Sequence, residues 1–183
     1  MAAKVLILPG INGSGPAHWQ TFWEKTHPEF RRVEERDWGR ALCEEWVAAL
    51  EAAVREAGPE TILVAHSLGC LQVAHWAART KLTVRSALLV APPDPKRKVF
   101  PKTAIGFAPV AKKKLDFPSI LAASSNDPYA APAFTRECAR AWGSRLIWFG
   151  PKGHLNADSR LGNWPPGFRQ LQTLMKEDIL SHD

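Results

Sequence analysis

Short apolar runs alternate with segments of helical period from one end of this chain to the other, and that alternation constrains its fold more than any other feature. Strands buried on both faces read as near-continuous apolar runs, and the helices between them supply the crossovers a parallel sheet requires. Six strands are expected, at Lys4 to Leu8, Arg32 to Glu35, Thr61 to Ala65, Ser86 to Val90, Ser119 to Ser124 and Arg145 to Phe149. The second carries little apolar content and reads as an edge. Leu42, Trp46, Leu50 and Val54 recur every fourth residue, so one face of a helix is buried there, and Gly58-Pro59 ends it. Pro16 suits the first turn of a helix from about Ala17 to Lys25. Further helices are expected from Leu68 to about Arg79, from about Ala131 to Trp142, and from Pro165-Pro166 through Leu171, Leu174 and Met175.

The fold class is therefore α/β, a three-layer α/β/α arrangement around a mainly parallel six-stranded sheet in the order 2-1-3-4-5-6. A chain of 183 residues accommodates one domain with a full core, expected over residues 1–183. The stretch from about 92 to 118 holds several prolines and two basic clusters without a sustained period. It reads as a short lid-like excursion between the fourth and fifth strands.

The first apolar run is too short for a signal-peptide core or a membrane span, so no membrane association is expected. Cys43, Cys70 and Cys138 are odd in number and lack C-x-x-C spacing, which favours free thiols in a cytoplasmic protein. The net charge of +6 gathers partly in Lys96-Arg97-Lys98 and Lys112-Lys113-Lys114, but neither cluster is interleaved with stacking aromatics. Solvated faces are the reading, and no nucleic-acid partner is expected. Eight tryptophans against one tyrosine imply broad aromatic walls in the core or in a pocket.

Ala65-His66-Ser67-Leu68-Gly69 follows directly on the third strand and opens the next helix. A nucleophile elbow needs small residues two before and two after its serine so that a strained strand-to-helix turn can close, and Ala65 and Gly69 stand at those places. An ordinary helix N-cap would also put serine here. Chemistry at Ser67 needs a histidine base and a carboxylate that orients it. Asp127 follows the fifth strand and His154 the sixth, both at the carboxyl edge where Ser67 stands. The order Ser, Asp, His is the one found in α/β-hydrolases. Two backbone donors are expected for an oxyanion: the N–H of Leu68, and that of Ile11 or Asn12 in the glycine loop after the first strand.

That loop, Gly10 to Gly15, lacks the third glycine of a dinucleotide fingerprint and the ending of a P-loop. His154, Asn156 and Asp158 alternate without a metalloenzyme motif, so no metal is expected. His66 is expected to pack or hydrogen-bond around the elbow, and Cys70 to be a small buried residue. His18, Phe107 and Trp164 are candidate pocket residues.

Together, Leu8-Pro9-Gly10, Gly13-Ser14-Gly15-Pro16, His18-Trp19-Gln20, the Ser67 elbow, Asn126-Asp127-Pro128-Tyr129, Gly153-His154-Leu155-Asn156 and Gly162-Asn163-Trp164-Pro165 resemble the retinoblastoma-binding protein 9 and YdeN family of small serine hydrolases. The resemblance spans most of the chain. It implies a minimal α/β-hydrolase fold, a triad falling on Ser67, Asp127 and His154, and no dissociable cofactor. It also implies activity on small esters, with a small ester-like molecule as the expected partner, and the small lid-like excursion favours small or medium acyl groups. A thioesterase or acyltransferase using the same three residues, and a hydrolase-fold module that binds a protein, stay open beside it.

Overall fold

The computed structural model describes residues 4–176; residues 1–3 and 177–183 of the span expected as one domain lie outside the described residues. Six strands, β1 (Lys4–Leu8), β2 (Phe30–Arg32), β3 (Thr61–His66), β4 (Ser86–Val90), β5 (Ser119–Ala123) and β6 (Arg145–Trp148), pair in parallel in the order β2-β1-β3-β4-β5-β6. Five helices connect or follow them: α1 (Trp19–Thr26), α2 (Cys43–Ala57), α3 (Leu68–Ala77), α4 (Pro132–Trp142) and α5 (Pro165–Lys176). This is the expected three-layer architecture and sheet order.

Period-two alternation decides which layer each strand residue serves. Leu6, Leu8, Leu63, Ala65, Leu89 and Leu121 pack into the core under α2, α3 and α4. Val5, Ile7, Ile62, Val64, Leu88 and Ile120 face the opposite core, built with α1 and α5. All ten residues of α3 are buried, so no polar face marks its outer side.

The 92–118 excursion explains that burial. Phe107 and Leu115 pack into the α2–α3–α4 layer, and the Phe107 carbonyl lies 3.2 Å from His75 Nε2. The excursion is pinned further by the Cys43 N–H on the Ile105 carbonyl at 2.9 Å and by Trp142 Nε1 on the Ala111 carbonyl at 2.8 Å.

Several element ends lie one or two residues from expectation, and two elements, β2 and α1, differ for a physical reason. β2 covers Phe30–Arg32, because the Phe30 ring enters the α1 core opposite Val5 while Arg32 pairs with Glu24 of α1. Glu35, expected inside that strand, turns instead toward Gln72 of α3, whose amide donates to it at 2.8 Å. α1 begins at Trp19, not at Ala17, since the His18 ring caps it by accepting from the Gln20 N–H at 3.2 Å. Cys43, Cys70 and Cys138 are free and buried. Among the described residues, no helix is long and apolar enough to cross a membrane.

Candidate active site

The carboxyl end of β3 delivers Ser67 into a turn with φ 54° and ψ −121°, a left-handed backbone that a serine adopts only when its surroundings impose it. Those surroundings are specific. The Ser67 N–H donates to the Val90 carbonyl at the end of β4 at 2.8 Å, and its own carbonyl accepts from the Cys70 N–H at 2.9 Å. A methyl on Gly69 would stand 2.5 Å from the Leu8 carbonyl oxygen and 2.9 Å from that of Pro9, so only glycine lets α3 start against the end of β1. Cys70 Sγ rests 3.3 Å from the Val90 carbonyl, and burial pushes its thiol well above the usual range. It is part of the core, as expected for a small buried residue.

Two loops from the far side of the sheet meet this turn. Asp127 leaves β5 through Ser124-Ser125-Asn126, and His154 leaves β6 through Gly150 to Gly153. The loops are stitched together: Asn126 Oδ1 accepts from the Gly153 N–H at 2.7 Å, and Ser124 Oγ from the Lys152 N–H at 2.9 Å. His154 Nδ1 lies 2.9 Å from both carboxylate oxygens of Asp127, and its Nε2 lies 2.8 Å from Ser67 Oγ. A carboxylate accepts, so Nδ1 carries the proton and Nε2 is left to accept from the serine hydroxyl. Asp127 Oδ1 also accepts from the Tyr129 N–H at 2.8 Å, which holds the carboxylate in place. Asp127 and His154 are both buried.

The oxyanion candidates separate on hydrogen bonding. The Asn12 N–H donates to the Trp38 carbonyl at 2.7 Å, which removes it from the donor set. Ile11 and Leu68 remain, the latter in the first turn of α3, where N–H groups have no intrahelical acceptor. Gly10 lies directly against Ser67, and a methyl there would stand 2.8 Å from Ser67 Cβ.

Beside Ser67 opens a cavity of about 250 Å³ bounded by the glycine loop, His18, His66, Tyr129, Asn156 and the Pro93 and Pro101 ends of one limb of the excursion. No Asp, Glu, Lys or Arg lines it. His18 is in the wall as expected, its pKa lowered to about 3 by burial above all, then by Arg32 and His154. Phe107 and Trp164, the other two pocket candidates, are not there. Phe107 fills the α2–α3 side of the core edge-on to Trp46, and Trp164 packs on Trp19, Trp23 and Phe149 on the α1 side. Large aromatic side chains bury most stably where both faces find apolar partners, and these two positions offer that.

Pro93 and Pro101 had no signal in the sequence that marked them as pocket residues, whereas Tyr129 and Asn156 stood in the motifs around Asp127 and His154 without being singled out. Buried Gln20 was also not singled out; its amide donates to the Leu8 and Val64 carbonyls, at 3.2 and 3.1 Å, and ties α1 to the ends of β1 and β3. Three consecutive motif residues, His18-Trp19-Gln20, were the available clue. Among the described residues, no three or more His, Cys, Asp or Glu side chains are grouped to hold a metal ion.

A family model described as serine hydrolase matches residues 5–173. Among solved structures, a protein described as a YdeN-like hydrolase from Pectobacterium atrosepticum is 28% identical, with a TM-score of 0.84 over 94% of this chain and 90% of that one. The ydeN gene product of Bacillus subtilis is 19% identical, with a TM-score of 0.77 over 94% of this chain and 98% of that one. The esterase RhEst1 from Rhodococcus is 13% identical, with a TM-score of 0.65 over 94% of this chain and 90% of that one. No curated protein matches the chain by sequence.

Proposed function

The chain belongs to the serine hydrolase family, as a YdeN-like member of the α/β-hydrolase superfamily, and on that premise we propose that it cleaves small or medium acyl esters through Ser67, His154 and Asp127. The observation that carries this reading is the continuous hydrogen-bonded row from Ser67 Oγ through the His154 ring to Asp127, at 2.8 and 2.9 Å, beside an uncharged cavity of about 250 Å³.

The chemistry follows from the row. Ser67 Oγ attacks the ester carbonyl carbon while its proton passes to His154 Nε2, and Asp127 stabilises the imidazolium that forms. The negative charge developing on the carbonyl oxygen accepts hydrogen bonds from the Leu68 and Ile11 N–H groups, fixed in advance at no reorganisation cost. Collapse expels the alcohol, which takes the proton from His154 and leaves an acyl group on Ser67. Water then repeats the attack with His154 as base, releasing the acid and restoring the serine.

The size and neutrality of the cavity favour compact, uncharged acyl groups over long chains. We read the chain as one domain, and the limb of the excursion over 93–101, which borders the cavity and donates the Asp94 N–H to the Tyr129 carbonyl at 2.9 Å, as the lid-like part. A thioester in place of the ester, or an alcohol in place of water, fits the same row.

A fluorophosphonate probe and a panel of esters, thioesters and amides test this reading on the wild type and Ser67→Ala. The expected result is an adduct on Ser67 and ester turnover that vanishes in the variant. A folded wild type that neither reacts with the probe nor turns over any ester overturns it.

A further inference from the structure

The nucleophile and its base come from β3 and β6, which stand three strand positions apart in the sheet. Neighbouring strands lie about 4.8 Å apart, so the sheet ladder leaves roughly 14 Å for the loop after β6 to cross back. The distance between Ser67 Oγ and His154 Nε2 therefore depends on what holds that loop. Its backbone is unrelaxed where it matters, with positive φ at Gly153 (61°) and at Leu155 (48°), a residue that seldom adopts it.

Two consecutive carbonyls of the loop are each held by a ring N–H. Trp19 Nε1 donates to the Leu155 carbonyl at 2.8 Å. His66 Nε2 lies 3.0 Å from the carbonyl of His154 itself. A carbonyl only accepts, so His66 carries its proton on Nε2 and is the donor. Its ring is buried and packed edge-on against His18 and Trp19, at centroid distances of 4.6 and 6.1 Å. Burial, with smaller contributions from His18 and His154, holds its pKa well below the ordinary histidine value, so the ring stays neutral in this single tautomer.

We propose that His66 is a positioning residue for the hydrolysis, its Nε2–H tying the backbone of His154 to the elbow and so keeping the imidazole in reach of Ser67. The inference rests on the hydrolase reading above. The bond spans 88 positions and joins the residue before the nucleophile to the base, so an error in it is transmitted to the reacting atoms without an intermediary. An ångström of misplacement costs on the order of a hundredfold in rate.

The test compares His66→Phe, which keeps the ring packing and loses the donor, with His66→Gln, whose amide nitrogen reaches about where Nε2 sits. Steady-state kinetics on an activated ester are read beside the downfield proton resonance of the His154 Nδ1–H. His66→Phe is expected to lose about tenfold to a hundredfold in kcat with KM within about twofold, and to shift or broaden that resonance. His66→Gln is expected to recover most of both. Should the phenylalanine variant not fold, His66→Met supplies the donor-free arm at similar length. A folded donor-free variant with wild-type kcat and an unchanged resonance overturns the proposal, as does a glutamine variant no better than the donor-free one. If the wild type itself lacks Ser67-dependent turnover, the hydrolase reading fails, and the resonance alone then decides whether His66 positions His154.

Discussion

Gly10 and Ser67 are in contact across two strands: a methyl on Gly10 would stand 2.8 Å from Ser67 Cβ and 3.3 Å from its Oγ. The loop after β1 thus touches Ser67 itself, whereas the comparable tight spot at Gly69 faces the Leu8 and Pro9 carbonyls. The two glycines are predicted to fail differently.

Gly10→Ala presses a methyl on Ser67 Cβ, which side-chain rotation cannot move, so the strained turn at Ser67 must shift and activity is lost. A drop in kcat of at least about tenfold is expected, with a smaller stability loss than at Gly69. Gly69→Ala drives a methyl into fixed backbone carbonyls, and a stability loss of roughly 1–3 kcal/mol is expected from overpacking. Kinetics and thermal melts on both variants check the contrast, and a fully active Gly10→Ala would contradict it.

Asp127→Asn leaves the shape of the site intact but offers an amide where His154 Nδ1 needs an acceptor. The imidazole is then driven toward the tautomer that cannot take the serine proton, and kcat is expected to fall by about ten-thousandfold. Probe labelling of Ser67 is expected to slow in parallel. A variant within tenfold of wild type, by the same order-of-magnitude standard, contradicts the role assigned to Asp127.

Glu35 is buried against Gln72, and its pKa is raised from 4.5 to about 8, chiefly by burial. Its folded form holds a proton that the unfolded chain gives up above pH 4.5, so stability is fully present below that value and is lost as pH rises toward 8. The loss is up to roughly 1 kcal/mol per pH unit across that window, read as a falling melting temperature. Glu35→Gln removes the ionisation and is expected to flatten the melting profile between about pH 5 and pH 8 relative to wild type.

His18 gives the opposite sign. Its pKa is lowered from 6.5 to about 3 in the fold, so the unfolded chain binds a proton that the folded protein refuses. Stability from this group is complete above pH 6.5 and is lost as pH falls toward 3, by up to roughly 1 kcal/mol per pH unit. His18→Asn keeps a side-chain acceptor for the Gln20 N–H at the start of α1 and carries no titrating ring. Urea melts across the acid range are expected to show a shallower decline for this variant, and an identical decline would contradict the assignment.

The strand and helix pattern was legible because it is written in short-range periodicities. Apolar runs such as Thr61 to Ala65 and the four-residue spacing of Leu42 to Val54 specify their elements whatever surrounds them. The parallel order of the sheet follows, because each crossover leaves few neighbours open to the next strand. That Ser67, Asp127 and His154 converge was also legible, since each sits where a strand ends and all strands of a parallel sheet end at one edge. β2 was misread because its apolar anchor is one aromatic, Phe30, which joins a buried cluster with Trp19 and Trp23 of another element.

Only the tertiary structure decided the finer parts of the site. Phe107 and Trp164 are core residues, and nothing local distinguishes an aromatic that lines a cavity from one that fills a layer. Ile11 and Asn12 are adjacent in the chain, yet only Asn12 has its N–H committed, because Trp38 presents a carbonyl to it. The same holds for His66 and the His154 carbonyl. Periodicity and motif report what a residue's neighbours in sequence impose, while a hydrogen bond between residues 88 positions apart exists only once the packed layers have brought its two ends together.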